Sequence, residues 1–281
     1  MLHNYNPYLQ LMRFHKPIGI YLLLWPTLWG LWASAHGVPP IKVLIVFVLG
    51  SVLMRAAGCV INDIADRKID GRVKRTALRP LVNGSVTLKE AWIIFGICCF
   101  LSFALVCFLN NFAIKLSFMG IALAIIYPFS KRWIDAPQLI LGLAFAWGIP
   151  MGYAAIQQAL PWQCWYLYVL VVLLAIAYDT LYAMVDKEDD LKIGVKSTAI
   201  FFGAWDKKIV LCLQLCVWLG LLVFGMLENY SRYYEIIICL SLGFFIYQQI
   251  LIKKREATQC FNAFLNHHWF ALWVWLGFVV A

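Results

Sequence analysis

The chain has 281 residues, of which 63% are hydrophobic and 13% charged, with a formal net charge of +9 and a mean hydropathy of +0.79. Soluble domains carry charge on about 25% of their residues, so an ordinary globular enzyme is excluded. The basic excess has no soluble domain to hold against DNA or RNA, which leaves nucleic acid out as a partner.

Apolar runs long enough to cross a bilayer, roughly 17–25 residues each, follow in chain order at 17–35, 41–64, 90–109, 113–130, 137–157, 162–184, 207–227, 233–252 and 265–281. These predict an all-α polytopic membrane protein with nine transmembrane helices. They are apolar on every face, whereas barrel strands would alternate over about ten residues. Pro17, Pro26, Pro128, Pro137 and Pro150 fall in or at the ends of these spans, as bundled helices tolerate when neighbours satisfy the released backbone groups.

The first span follows Arg13, His15 and Lys16 and ends in Ala33-Ser34-Ala35, which imitates a secretory signal. It is longer than the 7–15 residue core of such signals, so it is read as a retained span. Arg55 lies inside the second span, where a charge normally faces the bundle interior; it is placed to meet phosphates or to balance Asp63 or Asp179. The second span closes in Asn62-Asp63-Ile64-Ala65-Asp66-Arg67-Lys68-Ile69-Asp70, followed by Arg72, Lys74, Arg75 and Arg79. The fourth closes in Tyr127-Pro128-Phe129-Ser130-Lys131-Arg132, and the sixth in Tyr182-Ala183-Met184-Val185-Asp186-Lys187-Glu188-Asp189-Asp190, followed by Lys192 and Lys196.

Basic residues fix the expected orientation. Arg13 and Lys16, the stretch from Arg67 to Lys89, Lys131 and Arg132, Lys187 to Lys208, and Lys253 to Arg255 alternate with a side that carries only Lys42, Lys115 and Arg232. The positive-inside rule then puts the amino terminus and these loops in the cytoplasm of a multi-pass inner-membrane protein. The nine cysteines show no CxxC pair and read as small buried apolar residues. The five histidines form no metal-binding spacing, with His267-His268 placed at a membrane interface.

The two acidic segments hold seven of the fourteen acids. Carboxylates beside hydrocarbon are costly and call for a cation or a paired base. Residues 62, 66 and 70 stack along one helical face at i, i+4, i+8 spacing, and Tyr182, Asp186 and Asp190 repeat the pattern. Aligning Asp66 with Asp186 defines two pseudo-repeats, around 41–135 and 162–255. Four spans separate the two ends, so both face one side of the membrane, and such a parallel repeat favours a pocket over a transport path. Hard Mg2+ is held by one or two carboxylates with water and phosphate oxygens; acids for a metal beside bases for phosphate form the pattern of a metal-bridged diphosphate site. Salt bridging at a helix end is the plainer reading of either cluster alone.

Asn62-Asp63-x-x-Asp66-x-x-x-Asp70 and Asp186-x-x-x-Asp190, flanked by spans, resemble the UbiA family of membrane-embedded prenyltransferases over nearly the whole chain. Residues 54–63, the loop Lys74-Arg75-Thr76-Ala77-x-Arg79-Pro80 and residues 182–190 look most like members acting on 4-hydroxybenzoate in ubiquinone biosynthesis. The resemblance implies a central cavity and a polyprenyl diphosphate donor whose tail shares the membrane lipid. It places Asn62, Asp66, Asp70, Asp186 and Asp190 on Mg2+, and Tyr127 and Lys131 on the diphosphate. Arg132 is a candidate for the acceptor's carboxylate and Asp186 for the base that removes the ring proton. Another acceptor within the family, or a cation-coupled transporter, are the rival readings.

Overall fold

The computed structural model describes residues 6–71, 76–130 and 132–281. Every regular element among them is helical: α1 (Pro7–Leu11), α2 (Ile18–Ala35), α3 (Ile41–Asp70), α4 (Leu88–Val106), α5 (Asn111–Ser130), α6 (Pro137–Ala146), α7 (Gly148–Gln157), α8 (Trp162–Ile193), α9 (Thr198–Phe201), α10 (Asp206–Leu227), α11 (Arg232–Leu251) and α12 (Ala257–Val279). Among the described residues, eight helical segments are long and apolar enough to span a membrane. They coincide with the first eight predicted runs, α6 and α7 together making the fifth.

The ninth run is also helical, but it begins at Ala257 rather than 265. Its first turns carry Gln259, Asn262, Asn266 and His267, which lower its hydropathy below that of the other spans. His267 is fully buried, and Gln248 Nε2 donates to Asn266 Oδ1 at 2.9 Å while Gln214 Nε2 donates to Gln248 Oε1 at 2.6 Å. The polar face of α12 thus satisfies the amides of α10 and α11 inside the bundle, as groups away from water require.

Two helices outrun the bilayer. At 1.5 Å per residue, α3 (30 residues) and α8 (32 residues) reach about 45 and 48 Å, against a hydrocarbon core of roughly 30 Å. Their last turns therefore project beyond the apolar region, and those turns carry the acids. Helix α8 ends at Gly194, whose φ of 71° favours a residue without a Cβ.

The predicted span 137–157 divides at Trp147. Pro150 lacks an N–H, and its ring crowds the carbonyl of Ala146 four residues back. Trp147 Nε1 anchors the break by donating to the Leu116 carbonyl at 2.9 Å. Helix α7 then crosses α2 closely, with a Cβ on Gly30 meeting the Ile149 backbone at 3.0 Å, the small-residue packing that membrane helices use.

Helix α8 runs through the packed core, where Leu167, Leu174, Ala175, Ala177 and Leu181 are buried, against α6, α10 and α12. The cysteines divide differently from expectation. Cys59, Cys98, Cys164 and Cys260 are buried, but Cys107, Cys212, Cys216 and Cys239 lie on the outer surface, which in a bilayer is itself apolar.

Candidate active site

The end of α3 is built around Asp63. Its carboxylate, 1% exposed, accepts from Arg13 Nη2 at 2.8 and 2.9 Å and from Arg79 Nη1 at 3.0 Å. Asp63 therefore does not balance Arg55; it ties the amino-terminal segment and the loop after α3 to the helix. Arg79 Nη1 also donates to Asp70 Oδ2 at 2.6 Å, and Thr76 Oγ1 caps the Asp70 carbonyl at 2.6 Å. Asp66 and Asp70 are both buried. Burial first, opposed by Arg79 and reinforced by Asp63 and Asp66, pushes the Asp70 carboxyl up to about 6. Lys74 and Arg75 lie outside the described residues, as does Lys131.

The end of α8 is fixed from its other side. Lys187 Nζ donates to the Gly203 carbonyl at 3.0 Å and to the fully buried Asp206 at 3.3 Å, and Arg255 grips the same Asp206 through Nε at 3.1 Å. Tyr182, Asp186 and Asp190 are partly exposed. Lys192 pairs with Asp189 at 3.3 Å and Lys196 with Asp135 at 2.7 Å, so both lysines are engaged by neighbouring acids.

Three links put the two acidic ends at the same end of the bundle. Arg132, beyond α5, donates through Nη2 to the Ala65 carbonyl of α3 at 2.8 Å. Asp135 in that same connection meets Lys196 after α8. Arg79 is close enough to Tyr182 of α8 for the two to interact electrostatically. No cluster of three or more His, Cys, Asp or Glu side chains suited to a metal is formed among the described residues. The two ends offer oxygen donors, and a hard cation that completes its shell with phosphate and water needs only one or two carboxylates. A buried Asp70 that holds its proton to about 6 is a group that gains from such a cation.

Arg55 enters a cavity of about 480 Å³ lined by α2 to α7. Its guanidinium lies over the Phe145 ring, 5.6 Å from the centroid, and packs on Gly19, where a Cβ would collide with it. No carboxylate among the described residues forms an ion pair with Arg55; its electrostatic neighbours are Cys59, Tyr127, Tyr178 and Tyr182. Tyr127 lines the cavity beside it. The rest of the wall is mostly apolar and includes Phe100, Phe103 and Phe118, which are exposed on the outside of α4 and α5. The chamber therefore opens toward lipid at its apolar part, while its polar end is marked by Arg55 and Tyr127; none of Asn62, Asp66, Asp70, Asp186 and Asp190 lines it. Arg132 is exposed, stacked at 5.6 Å on Phe129, and does not line this cavity.

The sequence pattern marked Arg55, Tyr127 and both acidic faces. It gave no sign of Gly19, 36 positions earlier, or of Tyr178, which shares its helix with Tyr182 and Asp186 but falls outside the repeated pattern.

Residues 23–275 match the UbiA prenyltransferase family. Over 273 residues the chain is 52% identical to a protein named 4-hydroxybenzoate octaprenyltransferase from Actinobacillus pleuropneumoniae serotype 3, covering 97% of this chain and 93% of that one. A protein of the same name from Hydrogenovibrio crunogenus is 50% identical over 282 residues, covering 100% and 99%. Among solved structures, the apo form of a UbiA homolog from Aeropyrum pernix K1 superposes with a TM-score of 0.78 at 25% identity, covering 92% of this chain and 97% of that one. A UbiA homolog from Archaeoglobus fulgidus bound to DMAPP and Mg2+ has the same fold, with a TM-score of 0.72 at 20% identity over 98% and 100% of the two chains.

Proposed function

The chain belongs to the UbiA prenyltransferase family, and from this premise we infer that it is a 4-hydroxybenzoate polyprenyltransferase of ubiquinone biosynthesis, as its relatives' names indicate. It moves a polyprenyl group from polyprenyl diphosphate to the ring carbon ortho to the hydroxyl of 4-hydroxybenzoate. Neither the family nor these relatives support the reading as a cation-coupled transporter.

Asn62, Asp66 and Asp70 on α3, with Asp186 and Asp190 on α8, are our assignment for the divalent metal, Mg2+. When bound, the ion takes up the negative charge that grows on the departing diphosphate. Tyr127, with Lys74, Arg75 and Lys131, supplies the donors for phosphate oxygens; Arg79, Lys192 and Lys196 serve only by leaving their present acid partners. The apolar cavity receives the isoprenoid, and its opening between α4 and α5 leads the distal tail into lipid.

The bond between C1 and the diphosphate oxygen breaks, and its electron pair leaves with the diphosphate. The ring carbon donates a π pair to C1. Asp186 then accepts the ring proton, which restores aromaticity. Charges arranged in advance around a developing diphosphate stabilise this dissociating transition state.

The observation that carries the acceptor assignment is Arg55: a guanidinium without an acidic partner among the described residues, laid over Phe145 on the cavity wall. We assign it, rather than Arg132, to the acceptor's carboxylate. The positive-inside distribution orients the acidic end toward the cytoplasm of a bacterial inner membrane, and the segments 41–135 and 162–255 are two halves of one domain. The test is transfer to radiolabelled 4-hydroxybenzoate in membranes supplied with Mg2+ and a polyprenyl diphosphate. Prenylated product is expected; prenylation of other phenols with none of 4-hydroxybenzoate would reject the acceptor.

A further inference from the structure

Tyr178 is the one tyrosine hydroxyl among the described residues that is buried without a hydrogen-bond partner. The residue is 3% exposed. A buried hydroxyl left unpaired in a membrane-spanning helix is costly, and its persistence calls for an explanation.

Its surroundings supply one. The ring is held by Phe145 at 6.4 Å, Phe264 at 6.2 Å and His267 at 5.8 Å between centroids. Phe145 is also the ring on which the Arg55 guanidinium lies, and Tyr178 interacts electrostatically with Asp179, its chain neighbour, and with Arg55 and Tyr127, the last two of which line the cavity. Along their helices, Arg55 precedes Asn62 by seven residues and Tyr178 precedes Asp186 by eight. At 1.5 Å per residue both therefore sit about 10–12 Å below Asn62 and Asp186, the first residues assigned to the metal on their respective helices. Arg55 and Tyr178 thus share one aromatic neighbour, Phe145, at similar distances along their helices from the proposed diphosphate, and Tyr178 packs against that ring of the cavity wall.

We propose that Tyr178 is a specificity-determining residue whose hydroxyl donates a hydrogen bond to the carboxylate of the aromatic acceptor, beside the guanidinium of Arg55. The chemistry selects this end of the acceptor. Arg has only donors and an ionised carboxylate only acceptors, so one carboxylate satisfies both Arg55 and Tyr178. The phenol end must point the other way, toward the acids, because the carbon ortho to it has to reach C1 of the donor. The phenylalanine ring beneath the guanidinium keeps water from competing for the anion. This inference rests on 4-hydroxybenzoate being the acceptor.

The test is Tyr178→Phe, which deletes an oxygen that has no partner and so spares the packing. In membranes, the KM for 4-hydroxybenzoate is expected to rise on the order of tenfold or more, the span of one hydrogen bond to a charged group. The KM for the polyprenyl diphosphate and the inhibition constant of 4-methylphenol, which has no acceptor at that end of the ring, should stay unchanged. In detergent, the ligand-free variant should melt no lower than wild type, while the upward shift in Tm that 4-hydroxybenzoate gives to wild type should shrink. An unchanged KM for the acid, or a parallel loss of affinity for the acid and for 4-methylphenol, overturns the role of Tyr178 alone. Wild type that neither transfers to 4-hydroxybenzoate nor is stabilised by it overturns the acceptor reading, and the role of Tyr178 with it.

Discussion

Gly19→Ala is a change of one methyl group in α2 that should act on the site through Arg55. The added Cβ would overlap the Nε, Cζ and Nη2 atoms of Arg55. The overlap is with the tip of a flexible side chain, so the guanidinium moves while the backbone stays. Alanine is a better helix former than glycine by roughly 0.5–1 kcal/mol, so stability should hold or rise slightly. Moving the guanidinium forfeits a charge-assisted contact with the acceptor's carboxylate, about 1.5–3 kcal/mol, which raises the acceptor KM roughly ten- to a hundredfold. The assay is steady-state transfer in membranes, with the KM values of 4-hydroxybenzoate and of polyprenyl diphosphate measured separately, and Gly96→Ala as control because nothing lies within 4 Å of the Cβ it would gain. A Gly19→Ala enzyme with the wild-type acceptor KM would refute the placement of the carboxylate on Arg55.

Asp66→Asn and Asp186→Asn should each lower transfer by roughly a hundredfold or more, the scale of losing one group that stabilises a developing charge, while the protein still inserts; near-normal turnover by both would reject the metal assignment. For pH, the folded Asp70 carboxyl holds its proton to about 6 against an ordinary 3.8. The favourable, protonated contribution in the metal-free protein is therefore fully present below 3.8 and lost as pH rises through about 6. Asp70→Asn should accordingly be more stable than wild type at pH 8 without Mg2+, with the gap closing toward pH 4; and the Mg2+ concentration needed by wild type should rise as pH falls below about 6, where protons compete for the carboxylate. Asp206→Ala strips Lys187 and Arg255 of their shared buried partner and should cost about 1–2 kcal/mol, less than a fully buried pair because their side chains are 26% and 39% exposed, read as a lower Tm in detergent, with transfer falling because the end of α8 loses its brace.

How much was legible depended on what kind of signal each feature leaves. Spans declare themselves by apolar length, and the eight most apolar fall where the composition put them. The last helix began earlier than its hydropathy indicated because Asn266 and His267 turn inward to partners on α10 and α11, and hydropathy counts a polar residue without knowing what it meets. The break at Trp147 was foreshadowed by Pro150, yet proline alone does not say whether a helix bends or divides. The acidic faces were legible because i, i+4 spacing is a local property. Asp63, one residue off that face, was with Asp179 one of two acids open as a counterion for Arg55, and only the folded chain brings Arg13 and Arg79 to it. Gly19 and Tyr178 left no trace, since their roles come from contacts between helices far apart in sequence.

The central claim is that carboxylates from both α3 and α8 serve one metal-bound diphosphate. Electron–nuclear double resonance on protein loaded with Mn2+ and an unreactive thiolo analogue of polyprenyl diphosphate measures this directly. Phosphorus couplings to a bound Mn2+ are expected in wild type and should disappear in Asp66→Asn and also in Asp186→Asn; couplings that survive intact in either variant would contradict a shared site.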